Sequence, residues 1–487
     1  MHLAIRNRAR CVLLICFTWL GSASATTYYV DGSRVDDSGN GTLAAPKKFI
    51  ASGMALLSPL GGDVLQIAAG NYSGANNRID GDGDGNGQAG SWNIVRASTD
   101  GTVRISAGFD LPVADHWLQF EGLVFDSAQQ KTISGRYVKV LRSGFRGGPA
   151  TGNAMNLAIG TNDVTPGAQH VLLEDVYAWG PGGRYNIIVY NADRVVLRRV
   201  LVRHDFGWSD TVGDPQANVA LYDSTNVLTQ NLFLLDSHPG VDDYYEAALY
   251  HPSNRTTNVT SNNIRNIGAI IVNIGNNGIG FDGSEASTAN LIEDSVIWDT
   301  RYALSSNGDA HGGVLNRITA GQASDGGIND WNGGGNFNLG GSILWTIGGS
   351  NLSQIAHAGN VCFNPTCSGE TALNPANSGL LHLPRIEVGS ALASAGAGGT
   401  RVGAQVLQRL GVSGSLYGET GFDVASAEAL WPWPNEAAIK IALCQQAGVN
   451  TGFCAAPTLT RYIWEMLGHP IPPEIYAPGG LFNNGFE

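Results

Sequence analysis

The chain has 487 residues, 28 Lys and Arg against 41 Asp and Glu, a formal charge of −13, and 66 Gly. Nucleic acid is excluded as a natural partner, because phosphate binding needs a basic face. An acidic surface also repels acidic polysaccharides, unless a cation or a local Arg cluster reverses the sign. With charged residues at only 14% and this much glycine, the composition describes a turn-rich β protein rather than a disordered chain.

Residues 1–25 read as a secretory signal peptide. Arg6, Arg8 and Arg10 form a basic start, 11–20 an apolar stretch, and Ala23-Ser24-Ala25 a small-residue cleavage site. The apolar stretch is too short to span a membrane, so the product is expected to be secreted or periplasmic. Four cysteines remain beyond it, as the local pairs Cys362/Cys367 and Cys444/Cys454. In an exported chain two such pairs read as disulfides, with zinc binding as the alternative.

Next comes Asp80-Gly-Asp82-Gly-Asp84-Gly-Asn86. Alternating acids with Gly at the sixth position imitate a calcium loop, so Asp80, Asp82, Asp84 and Asn86 are candidate Ca²⁺ ligands. Ser91 stands where a bidentate Glu is expected, and a plain acidic loop is the other reading.

From residue 118 onward one phrase keeps returning. It is apolar-x-apolar-x-x-apolar, with Asn or Asp often just before the third apolar position. Copies are Leu118-Gln-Phe120-Glu-Gly-Leu123, Val171-Leu-Leu173-Glu-Asp-Val176, Val195-Val-Leu197-Arg-Arg-Val200 and Val227-Leu-Thr229-Gln-Asn-Leu232. Further copies end at Ile264 and Val296, and weaker ones centre on Ser143, Ile318 and Ile343. Period-two apolar spacing is strand spacing, and the Asn or Asp suits a bend. A second phrase ends in an aromatic and a polar residue: Tyr190-Asn191, Tyr222-Asp223, Tyr250-His251 and Phe281-Asp282. The aromatic column reads as an internal stacking ladder in preference to a sugar platform, and its polar partners as turn residues. Three strands per coil, repeated at this period, predict a solenoid, the parallel β-helix.

These residues resemble the secreted right-handed parallel β-helix proteins, the pectate-lyase-like group. The resemblance covers 28–404. Tyr28-Tyr-Val-Asp-Gly32 and Gly62-Asp-Val-Leu-Gln-Ile-Ala-Ala-Gly-Asn-Tyr72 are similar to the strand, capping helix and first coil of that group. Gly389-Ser-Ala-Leu-Ala-Ser-Ala-Gly396 and Val402-Gly-Ala404 are similar to a common ending, with Ser394 at a usual Asp. The resemblance implies a polysaccharide lyase or glycoside hydrolase acting on an extracellular glycan. A non-catalytic glycan-binding or structural protein is the alternative. Domains are expected at 26–405 for the β-helix and 406–480 for a disulfide-tied cap on its C-terminal end, followed by a tail at 481–487. Asn435 and Thr458 are expected N-caps for helices over 436–446 and 458–467.

Counting four to six residues past the anchors makes one edge rich in chemistry. His204, Asp205, Asp236, His238, Asp299 and Arg301 are the expected catalytic groups there, with Gly268, Ala269 and Ile270 as an apolar floor. Arg203 and the loop residues Asp242, Asp243, Tyr244 and Tyr245 are expected to bind substrate. Of the five Lys beyond residue 25, none falls on this edge, so a Lys base is not expected, and a His or Tyr base with Arg as neutraliser is the lyase alternative. The alternative is that these polar residues merely end strands. A glycan is the expected partner and the protein is expected to act as a monomer.

Overall fold

The computed structural model describes residues 25–81, 83–149, 153–161, 167–180, 183–205, 216–237, 247–252, 262–282, 287–307, 311–330, 336–349, 352–445 and 450–476. All but the last residue of the expected signal peptide, and the whole of the expected tail, lie outside them. Among the described residues the solenoid is built from parallel strands only, arranged in three columns. The first face runs from Thr27–Val30 to Ala356–Ala358 as a 13-stranded sheet. The second and third faces belong to one 19-stranded sheet. Register is strict where the core is apolar: Val138, Val171, Val195, Val227 and Ile264 pair in succession, all fully buried. Parallel crossovers of this kind are right-handed, which gives a right-handed parallel β-helix. The short helix α1 (Ile50–Met54) closes the N-terminal end, and Gly53 lets it sit on Val30 and Leu65.

The bend between the first and second faces uses one left-handed residue per coil. Arg142, Asp175, Arg199, Asn231, Gly268, Asp294 and Arg317 all have φ between 47 and 70°. Asn, Asp and Gly adopt this conformation cheaply, whereas other residues lose roughly 1–2 kcal/mol. The arginines offset that strain with ion pairs. Arg142 holds Asp100 and Glu121, Arg199 holds Glu174 and Asp175, and Arg317 holds Glu293 and Asp294.

This bend corrects part of the sequence alignment. Val200, Leu232, Ala269, Ser295, Ile318 and Ser342 each directly precede residues that pair across the second face. The expected anchor Ile264 is therefore five residues early, because it pairs with Val227 on the first face. Val296 and Ile343 are each one residue late. The aromatic column also splits. Tyr250 pairs with Ala220 and Gly280, while Phe281 pairs with His251. Phe281 lies in the central core, whereas Tyr222 and Tyr250 belong to a separate cluster with Tyr185 and Ala220.

The described part of the C-terminal segment packs along the flank of the solenoid, with Leu467 reaching Ile343 and Val361 of the last coils. Its helices α2 (Glu436–Cys444) and α3 (Leu459–Trp464) lie along the flank. Trp431, Trp433, Leu443, Phe453, Ile463 and Trp464 cover Leu201, Phe233, Leu235, Ile270 and Val296 of the second face. Thr458 caps α3 through the Arg461 N–H at 3.1 Å, but Asn435 makes no side-chain cap.

Both cysteine pairs are disulfides, and they belong to different parts of the molecule. Cys444–Cys454, with Cα atoms 5.4 Å apart, ties the end of α2 to the turn at Gly452–Ala455 within the flank cover. Cys362–Cys367, at 5.6 Å, takes no part in that cover. Cys362 lies on the last second-face strand, Val361–Phe363, where it is fully buried and pairs with Leu344. Cys367 is only partly buried and packs against the edge of the central core. Their bridge closes a five-residue turn on the final coil. With its sulfur oxidised, Cys367 is not available as a zinc ligand, nor are the other three cysteines.

A second strap precedes the flank cover. Residues 408–423 cross the outer side of the first face and are tied down by Arg198, which is fully buried. Its guanidinium binds Glu174 at 2.8 Å, Gln230 at 2.8 Å, and the carbonyls of Val412 and Phe422 at 2.9 and 3.1 Å.

The core also holds a histidine. His251 stacks on Phe281 at 4.7 Å, and burial, helped by His311, lowers its pKa to about 3. The unfolded chain, near 6.5, therefore takes up this proton first. Stability from the neutral ring is complete above pH 6.5 and is lost as pH falls toward 3, by up to ~1.4 kcal/mol per pH unit. Urea midpoints at pH 7 and 4.5 should diverge for the native protein and converge in His251→Phe. An unchanged pH slope in the variant would refute this.

Candidate functional site

The edge expected to be catalytic is largely closed. His204 is 1% exposed; its backbone N–H donates to Ser237 Oγ, and its Nε2 lies 3.2 Å from the Gly183 carbonyl. Arg203, also buried, pairs with Asp205, reaches Cys454 Sγ at 3.1 Å, and donates to the Leu443 carbonyl at the end of α2. A cation there complements the carbonyl end of the helix. Asp236 accepts from the Phe453 N–H at 2.8 Å, the Tyr462 hydroxyl at 2.9 Å and Asn273 at 2.6 Å. Its carboxyl is pushed up by burial, against those hydrogen bonds. Arg203, Asp205 and Asp236 thus dock the flanking helices where an open groove was expected. Asp299 is exposed, and Arg301 pairs with Asp325 at 2.7 Å beyond the cover. The expected apolar floor is replaced by Asn273, since the coil starts at Ala269. His238, Asp242, Asp243, Tyr244 and Tyr245 lie outside the described residues.

The acidic loop expected to bind calcium makes other contacts. Asp80 lies 3.6 Å from Arg78, and Asn86 uses both ends of its amide on backbone, accepting from His116 N–H and donating to the Ala114 carbonyl. Asp84 is exposed and Asp82 lies outside the described residues. Among the described residues no three His, Cys, Asp or Glu side chains gather around a common point. No chemical step is assigned to calcium.

The third face is different. Strand alternation puts Val189, Leu221 and Ile279 inward and Tyr190, Tyr222 and Tyr250 outward, where Tyr185 packs with them. These tyrosines form one polar-tipped cluster. The Tyr185 and Tyr222 hydroxyls are 2.5 Å apart, and Arg184 reaches Tyr222 at 3.5 Å. The Tyr250 hydroxyl donates to Asp282 Oδ2 at 2.6 Å. Burial pushes the Tyr250 phenol well above its ordinary range, so it stays a donor.

Asp223 follows Tyr222 in the left-handed conformation, φ 43°. It is 2% exposed, and among the described residues nothing hydrogen bonds to its enclosed Oδ1. An isolated carboxyl loses hydration without compensation, so desolvation raises its pKa to about 6. The registers Ala220↔Tyr250 and Tyr250↔Gly280 carry Tyr222 forward through Pro252 to Asp282. Asp223 and Asp282 are therefore two coil steps apart, about 10 Å between backbones at ~4.8 Å per step. Residues 206–215, 238–246, 253–261 and 283–286 lie outside the described residues. Sequence reading takes Asp223 and Asp282 for turn residues. Their signal is the aromatic-acid pair repeated at Tyr222-Asp223 and Phe281-Asp282, but the offset between coils hides that Asp282 faces Tyr250.

Lys131 looks reactive but is not available. Burial lowers its pKa to about 7. Yet it is fully enclosed, donating to the carbonyls of Ser127 and Arg146 and to Asn156.

No family model matches the chain, and no curated protein does. Solved structures similar in fold include the pectate lyase Pel9A, at 12% identity over 80% of this chain and 98% of that one, TM-score 0.46. A glycoside hydrolase is similar at 10% identity over 70% and 96%, TM-score 0.46. The A-module of the Azotobacter vinelandii mannuronan C-5 epimerase AlgE6 is similar at 12% identity over 63% and 92%, TM-score 0.40. What the chain has in common with these structures is the parallel β-helix itself.

Proposed function

We propose that the protein is an extracytoplasmic, carbohydrate-active β-helix enzyme that hydrolyses a glycosidic bond on its third face. Asp223 is the general acid and Asp282 the base that activates water. The observation that carries this reading is the pair of unlike carboxyls two coils apart. One is isolated and raised to about 6, and the other accepts the Tyr250 hydroxyl. Environments that separate two carboxyls in this way assign acid and base. Their backbones, about 10 Å apart, leave room for the ~6.5–9.5 Å between carboxyls that inverting hydrolysis needs. Tyr190, Tyr222 and Arg184 would line the sugar path, aromatic faces against C–H groups and the guanidinium on hydroxyls.

An eliminating lyase is less well supported, because it needs a base to take a carbon-bound proton. Tyr250 is pushed away from that role and Lys131 is enclosed. Two disulfides fit an oxidising compartment, and no described helix is long and apolar enough to cross a membrane.

The test is a panel of neutral and uronate polysaccharides assayed for reducing ends and for absorbance at 235 nm. New reducing ends without absorbance, and an inverted anomer by proton NMR, are expected. Unsaturated products would favour the lyase. Retention of a glycan on the protein without turnover would favour a binding protein.

A further inference from the structure

We infer that Cys444–Cys454 is a thiol-exchange site, at which a small thiol bonds to Cys444 Sγ while Cys454 leaves as a thiolate held by Arg203. The two ends of this bridge stand in unlike surroundings. Cys454 is 7% exposed, and Arg203 Nη1 donates to its Sγ at 3.1 Å. The other Arg203 donors are engaged elsewhere, Nε and Nη2 on Asp205 and Nη2 also on the Leu443 carbonyl. A guanidinium donor aimed at sulfur stabilises a thiolate more than it does the uncharged disulfide. Lys440 places a second cation beside the same residue, its Nζ 2.6 Å from the Cys454 carbonyl. Asp205 and Asp236 balance these two charges, so the preference rests on the direct N–H···S contact and not on net charge.

Among the described residues no side chain donates to the Cys444 sulfur. Cys444 ends α2, whose carbonyl end disfavours an anion. It is also only half-buried. The more open residue is therefore the one a thiol can reach, and the sulfur with the donor is the one that must take the electrons. A leaving thiol that is more readily ionised leaves faster. The other bridge lacks this asymmetry: Cys362 is fully buried, Cys367 is partly buried, and no described Lys or Arg donates to either sulfur. In the exchange, the incoming thiolate forms an S–S bond to Cys444 as the Cys444–Cys454 bond breaks, and that bond's electron pair stays on Cys454. A second thiol then attacks the mixed disulfide, releases Cys444 and departs as the oxidised dimer of the two thiols, which have supplied both electrons. Opening the bridge cuts the covalent tie between α2 and the turn at Gly452–Ala455, whose Phe453 N–H holds Asp236 of the second face. Reduction therefore loosens the flank cover.

This inference is independent of the third-face reaction. The full chain held in excess reduced glutathione at pH 7, quenched in acid and mapped by peptide mass spectrometry, tests it. Glutathione should be found on Cys444 with Cys454 free, and Cys362–Cys367 should open at least roughly tenfold more slowly. In Cys444→Ser the freed Cys454 thiol should reach half-maximal alkylation by iodoacetamide below pH ~8.5, the ordinary value for a cysteine. Arg203→Gln in that background should move the half-point up. Glutathione on Cys454, opening of Cys362–Cys367 at an equal or faster rate, or a Cys454 half-point at or above pH ~8.5 would overturn it.

Discussion

Asp223→Asn is expected to lower turnover of the cleaved glycan by roughly 10²–10⁴-fold, the usual contribution of a positioned general acid. The effect should fall on kcat, with KM little changed, because an amide of the same shape keeps the contacts but carries no transferable proton. The pH profile provides the sharper reading. Desolvation holds Asp223 protonated up to about pH 6. Activity of the native protein should therefore decline as pH rises through 6, and the residual activity of the variant should lose that limb. Asp282→Asn should likewise lower kcat, since an amide cannot take the proton of the attacking water. If Asp223→Asn retains full activity and the same alkaline limb, Asp223 is not the acid.

Arg198→Ala should destabilise the fold by about 3–5 kcal/mol, the range for removing one partner of a buried ion pair. The guanidinium is fully enclosed and binds Glu174, Gln230 and the strap carbonyls together. Its loss leaves Glu174, 4% exposed, with a buried charge held by Arg199 and the Gly414 N–H. Adding Glu174→Gln to Arg198→Ala should recover part of the loss, because the remaining penalty is largely the stranded carboxylate. Urea unfolding of the native, single and double variants measures this. A single-variant change below about 1 kcal/mol would show that the strap is held by its apolar contacts alone.

Much of the solenoid is legible in the sequence because one strand of every coil repeats an apolar pattern of period two, and because a left-handed bend follows it. Where the bend residue is Asp175 or Asn231, the anchors Val176 and Leu232 are right. Where it is Gly268, the phrase around Ile264 offers two frames, and the Asn262-Asn263 pair points to the wrong one. The same ambiguity moves Tyr250 onto the column of Tyr222 and hides the third-face site. The disulfides show both sides of this. Pairs five and ten residues apart declare themselves locally, but only the fold puts Cys362–Cys367 on the last coil and Cys444–Cys454 in the flank cover. The cover itself was not legible for another reason. Asp236 and Phe453 are 217 residues apart in sequence, and no local pattern encodes a contact of that reach. Arg203 and Asp236 stand out as unusual polar residues at one edge, but what they face is invisible in the sequence.

The two straps carry a consequence for how the molecule assembles. A bare solenoid behaves as a one-dimensional array in which each coil knows only its neighbours, so it can fray from either end. Here residues 408–423 and 431–464 stitch across coils separated from them by more than two hundred residues, as in the Arg198–Val412 and Asp236–Phe453 bonds. The middle coils then cannot be finished until the last part of the chain has arrived. The body should therefore melt as a single unit rather than coil by coil.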